Sequence, residues 1–520
     1  MKRLLPVSLA ALTVLLSAGA QAAAPGITGP TFNLTAQAAY ISQPDGASLY
    51  SWGYGCNGAP TGFSPAAIPS TVRFCNTMQI PGPTLIVTEG QTVTVNLINQ
   101  LPSAAGNTSI LFPGFNVTAT GGATGLLTKE AVPGGTVSYS FTASSPGTRA
   151  YYSGTQGDLQ VEMGLYGAII VLPNGAPTNG TCPPHNTAAG LNSAGTALVA
   201  GGEANFRASP TGAAYHVTQS CYDREYLFQF SEIDPDIHAQ AQAQSTLTCT
   251  GCMVVATEPY HPAYFMINGR SMPDDMDSHY AAQYPHQPYN GNPHMHPGDL
   301  VLLRIIGQGR WQHPFHEHGN HVRVLARDGN LIVSSTSATQ LAGPLLFTTT
   351  TTPGQAMDGI FYWTGKGLNW DAYGHNPASS DPLAHLTCTP DANGYNTGSL
   401  TAVNYYEWCQ DHNKPVQATP FGDVPAGGPV TLPDANLFTN GPWYGGSPYL
   451  GPNATVRATG PTGTTPPSGT IANPPTSEAG FAFMWHSHNE REITTNNIFP
   501  GGMLMMMLVD SREFVIDESQ

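Results

Sequence analysis

Charge is scarce in this chain. Charged residues make up 10% of it, and 17 lysines and arginines face 33 aspartates and glutamates, for a net charge of −16. Such a balance repels phosphate backbones and anionic lipid, so nucleic-acid partners and acidic membranes are excluded as a class. Beyond the N-terminus no apolar run reaches the roughly 18 residues of a spanning helix, and no membrane insertion is expected. Also missing are a Gly-rich phosphate loop, a Walker sequence and a G-x-S-x-G elbow, which leaves nucleotide and serine-hydrolase chemistry without support. Helix formers are scarce, whereas Gly (58) and Pro (46) abound. That composition favours short strands joined by turns and long loops.

At the N-terminus, Met1-Lys2-Arg3 precedes an apolar run from Leu4 to about Leu16, followed by Ala20-Gln21-Ala22. A basic start, an apolar stretch too short to span a bilayer and an A-x-A site read as a secretory signal peptide over 1–22. The mature protein is therefore expected to be soluble and secreted or periplasmic. Eight cysteines fit an oxidising compartment. Proximity in sequence pairs Cys56 with Cys75, Cys182 with Cys221, Cys249 with Cys252 and Cys388 with Cys409. The third pair is a C-x-x-C, which leaves a redox or metal pair open as the alternative.

Alternating apolar segments at 84–87, 92–97, 136–141 and 167–171 are bounded by Gly, Pro or Asn, as in an all-β sandwich. A comparable set follows at 226–230, 300–305, 322–325 and 504–509. Two β-sandwich domains are expected, at 27–175 and 221–512, with a linker over 176–220. The second carries a loop-rich insertion at about 366–478, ending in a Pro/Gly/Thr tract that cannot build a core.

The chemistry-bearing residues are histidines. His313-Pro314-Phe315-His316-Glu317-His318-Gly319-Asn320-His321 and Trp485-His486-Ser487-His488 read as two neighbouring strands. Side chains alternate along a strand, so His316 and His318 share one face, as do His486 and His488. Imidazoles converging between strands suit copper, zinc, iron or manganese, with hydrogen-bonded surface rings as the alternative. A further H-x-H, His294 and His296, near His279 and His286, reads as an exposed polar loop rather than a copper-acquisition loop. Asp274, Asp275 and Asp277 read as a solvated loop. Met505, Met506 and Met507 read as core filler in a buried strand; Met503 beside them stays open as a ligand.

At these residues the chain resembles the multicopper oxidases, a family built from cupredoxin-type Greek-key β-sandwiches. The resemblance runs through Pro81-Gly82-Pro83-Thr84, Glu89-Gly90, Gly164 to Ala168, Phe265 to Arg270, Pro353 to Asp358 and both histidine motifs, covering nearly everything but the insertion. It implies two cupredoxin-like domains and a copper cofactor held by His316, His318, His486 and His488, with His313 as a further ligand. The departures are equally informative. The family's H-W-H-G aligns with Leu111-Phe112-Pro113-Gly114 and its H-S-H with Tyr152-Ser153-Gly154, so four cluster ligands are missing. Its blue-copper cysteine aligns with Ser487, and a later histidine with Glu492. A hydroxyl cannot replace a thiolate in that site.

The resemblance thus implies a copper-binding oxidoreductase with a reduced, non-blue centre. Its partners would be a metal ion or small reductant, with dioxygen as acceptor, and a homo-oligomer is open. The alternative is a non-catalytic copper-storage or extracellular scaffold protein of the same fold.

Overall fold

Strands Thr92–Asn99 and Thr136–Thr142 bury every second side chain. This is the pattern of a strand with one face on a core and one toward water. Their inward residues Val93, Val95, Leu97, Val137, Tyr139 and Phe141 join one apolar cluster. The computed structural model describes residues 23–68, 75, 77–185, 203–366, 389–398, 406, 408–410, 480–510 and 515–518. The expected signal peptide, and nearly all of the expected insertion, lie outside these residues.

Two β-sandwiches result. In the first, one sheet runs Gly147–Tyr152, Tyr166–Leu172, Leu85–Thr88, Gly26–Thr28, Phe63–Ser64. It faces a sheet ordered Ser48–Cys56, Thr31–Ser42, Thr92–Asn99, Thr136–Thr142, Thr118–Gly121. In the second, Tyr264–Ile267, Arg224–Ile233, Leu300–Gly307, Ala356–Tyr362, Val322–Arg327 and Asn330–Leu331 form one layer. His294–Met295, Leu504–Asp510, Gly480–Ser487, His313–Glu317 and Thr348–Thr351 form the other. Parallel pairs such as Ile169 with Leu85, and Tyr226 with Leu303, join strands distant in sequence, as Greek-key connections require. The fold is all-β with two cupredoxin-like sandwiches, as expected. The longest helix among the described residues, Pro235–Gln244, starts on a capping Asp234 with proline in its first turn. No helix among the described residues is long and apolar enough to cross a membrane.

Arg224–Ile233 and Tyr166–Leu172 are buried along their whole length, without alternation. Each lies between two packed surfaces. Tyr226, Phe228 and Phe230 enter the core of the second sandwich. Leu227 faces the other way and packs with Ile306 and Ala356 against Ile86, Ala168 and Ile170 of the first. The two sandwiches therefore share an apolar seam.

Polar groups pin that seam. Asp358 accepts hydrogen bonds from the backbone N–H of Thr148 at 3.1 Å, from its hydroxyl at 2.6 Å and from the Tyr215 hydroxyl. Arg304 reaches Thr148 Oγ1 at 3.0 Å and pairs with Glu225 at 2.8 Å. Buried polar atoms paired in this way fix one docking register, because any slip would strand them in a low-dielectric seam.

Disulfides join Cys56 to Cys75, Cys182 to Cys221 and Cys249 to Cys252, three of the four expected pairs. Cys409 is disulfide-bonded, and Cys388 lies outside the described residues. Two local expectations fail. His294 and His296 are buried, not exposed: His294–Met295 is a short strand beside Leu504–Asp510, and His296 Nε2 meets Glu203 at 2.8 Å. Asp275 is also buried, in a turn that wraps the Arg270 guanidinium with the carbonyls of Asp274, Asp277 and Ser278. Local polarity hid both; the partner of His296, Glu203, stands 93 residues away in sequence. Met503, Met505 and Met507 are core residues.

Candidate metal centre

Strand pairing brings the four motif histidines together. His313–Glu317 runs antiparallel to Gly480–Ser487 with His316 opposite His486, and His318 and His488 follow the strand ends. Ring centroids lie 4.9 Å apart for His316 and His318, 4.8 Å for His316 and His488, and 5.2 Å for His318 and His486. The convergence expected from strand alternation is present.

The ring nitrogens, however, are turned to one another and to the backbone. His486 Nδ1 lies 2.7 Å from the Ser487 carbonyl, which can only accept, so Nδ1 carries the proton. In the neutral ring Nε2 is then an acceptor, and it stands 3.2 Å from His318 Nε2, which donates to it. His316 Nδ1 is engaged by the Thr348 hydroxyl at 2.7 Å. The rings meet edge to face, with interplanar angles of 82° for His316 and His318 and 72° for His318 and His486. Burial, then the neighbouring imidazoles, lowers His316 to about 4; the same causes lower His318 to about 3. His316 and His318 are therefore neutral at pH 7, packed against His486 and His488.

Among the described residues no group of three or more His, Cys, Asp or Glu side chains is disposed to hold a metal ion. The expected copper cofactor on His316, His318, His486 and His488 is therefore overturned. With it go the metal-ion partner and the copper-dependent oxidoreductase chemistry drawn from it. Their sequence spacing correctly placed the rings but could not show how their lone pairs are used.

His313, the fifth expected ligand, sits in a different constellation. It is fully buried, with Nδ1 2.9 Å from Glu492 Oε2 and Nε2 3.0 Å from Glu232 Oε2. Ser487 donates its hydroxyl to the same Glu492 oxygen, and Asn489 donates to the other at 2.8 Å. Glu232 also accepts the backbone N–H groups of Arg310 and Trp311 at 2.6 and 2.8 Å, and the Tyr260 hydroxyl at 3.1 Å. Burial alone would lower His313, but hydrogen bonds to Glu232 and Glu492 and their charges outweigh it and raise it to about 9. An imidazolium clamped by two carboxylates has no lone pair left for a metal.

The sequence alignment had brought His313, Ser487 and Glu492 to one site, and the structure does so. Glu232 was missed. Its signal was a carboxylate on a strand otherwise fit for burial on both faces, where an acid needs a partner. Next to it, Tyr260 also donates to Glu162 at 2.6 Å. Burial, then the nearby Glu232, raises the Glu162 carboxyl to about 8.

In the first sandwich, apolar and aromatic side chains stand at positions aligned with the absent ligand motifs. Leu111 and Tyr152 exchange backbone hydrogen bonds of 2.7 and 3.3 Å, and Phe112 packs in the core on Phe141 with centroids 4.9 Å apart.

The family model described as "Multicopper oxidase" matches residues 62–176. The "Multicopper oxidase MCE" of Talaromyces pinophilus is 36% identical over 113 residues, which is 21% of this chain and 18% of that protein. The chain thus spans under a fifth of that relative's length. Among solved structures, a blue copper oxidase from Nitrosomonas europaea is similar over 92% of this chain and 85% of its own, at 15% identity and a TM-score of 0.44. A copper nitrite reductase from the same organism is similar over 65% of this chain and 85% of its own, at 16% identity and a TM-score of 0.37. Over residues 62–176 the chain is thus similar to the multicopper oxidases, on an all-β body of two cupredoxin-like sandwiches.

Proposed function

We propose that the chain is a non-catalytic, cupredoxin-fold scaffold that works outside the cytoplasm. The observation that carries this reading is the doubly hydrogen-bonded imidazole of His313, locked between Glu232 and Glu492 where a redox centre would need free nitrogen donors. Copper storage, the other role open to a non-catalytic relative, would call on the same donor atoms. A stable two-sandwich body remains, with its sheets pinned at the seam and three disulfides closing its loops. Export is supported by the leader-like N-terminus and by those disulfides.

The test is metal analysis of purified protein after incubation with copper, run beside oxygen uptake with reduced metal ions and phenols. The scaffold reading expects no stoichiometric copper and uptake at background. One copper per chain with sustained oxygen consumption would refute it.

A further inference from the structure

Between the two sandwiches lies a cavity of 280 Å³. Leu111, Leu127, Tyr152 and Val161 of the first contribute to its wall, Gln308 and Pro353 of the second form its other side, and it is open to solvent. We propose that this cavity binds a neutral, planar aromatic molecule of one or two rings that carries a carbonyl or similar hydrogen-bond acceptor.

Among the described residues no charged side chain lines the cavity. An ionic ligand would lose its hydration there without gaining a counter-charge, and a neutral one would not. Much of the remaining wall is glycine, which exposes flat peptide planes suited to a ring face. At Gly154 a Cβ would fall 2.7 Å from the Leu111 side chain, and Gly354 has a φ of +77°. Both positions thus keep their wall bare for steric reasons. A Cβ on Gly354 would also lie 3.2 Å from the Tyr152 hydroxyl, which has no hydrogen-bond partner among the described residues. That hydroxyl is a donor available to a ligand acceptor. Gln308 is buried and fixed, donating to the Gly167 carbonyl and to Gln229, both at 3.0 Å. The volume stands near the lower limit of small-molecule sites, roughly 300 Å³, which sets the ligand at one or two rings.

Equilibrium dialysis of the full mature chain with coumarin tests the assignment, with coumarin-3-carboxylate as its charged counterpart. Two variants sit on the wall at positions where folding is not at risk. Gly157→Leu places its new side chain where a Cβ meets nothing within 4 Å, and Leu127→Asp changes a side chain that is 64% exposed. Saturable one-site binding of coumarin is expected, weakened about tenfold or more by each variant, with the carboxylate weaker by a similar factor. Absence of saturable binding, unchanged affinity in both variants, or equal binding of the carboxylate would each overturn the proposal. Copper does not enter this experiment, so its outcome and that of the scaffold reading are independent.

Discussion

Replacing His313 by glutamine takes away the cation that stands between the buried carboxylates of Glu232 and Glu492. The imidazole is raised from 6.5 to about 9, so the folded state holds its proton more tightly than the unfolded chain does. Its stabilisation is therefore complete below pH 6.5 and is lost as pH rises through 9. At 1.36 kcal/mol per unit, that gap corresponds to roughly 3 kcal/mol. Stranding one partner of a buried ion pair costs a similar amount, about 3–5 kcal/mol. Urea unfolding followed by tryptophan emission, at about pH 6 and about pH 10, reads the effect as a shift of midpoint. Midpoints are the right quantity, because two sandwiches need not unfold in one step. His313→Gln should unfold at clearly lower urea near pH 6, and the gap to wild type should narrow at the higher pH. Equal midpoints at both pH values would refute the clamp.

Ser487→Cys, loaded with copper, should show no intense blue charge-transfer band, because His313 is held as an imidazolium and Glu492 stands where a second imidazole is needed; a strong blue band would contradict this. Asp358→Asn should weaken the seam, because its amide nitrogen would face the Thr148 or Tyr215 donors and Arg304 would lose a carboxylate 3.6 Å away, and calorimetry should resolve two transitions where wild type shows closer coupling; an unchanged trace would sink the idea. Glu162 keeps its proton up to about 8 through burial, so wild type should lose stability as pH rises from 4.5 through 8, whereas Glu162→Gln should lose less over that window. Parallel stability curves for the two proteins would count against it.

Much of the fold was legible because strands advertise themselves locally. The 92–97 and 136–141 segments alternate, and both became one-face strands. The stretch 226–230 was legible only as apolar, since its period vanishes where a strand is covered on both sides. The candidate site was half legible. Alternation and pairing place His316 against His486, and local sequence is enough for that. Hydrogen-bond allocation is not local. The proton on His486 depends on a carbonyl one residue away, but the state of His313 depends on Glu232, 81 residues distant. His296 was misread for the same reason, its partner Glu203 being 93 residues away.

The protonation state of one ring carries the account. Long-range proton–nitrogen correlation spectra of histidine-labelled protein at neutral pH would assign both nitrogens of His313. The structure requires two ring protons that survive up to a pH of about 9. A His313 ring with one bare nitrogen at neutral pH, or one whose resonances shift on adding copper, would contradict it.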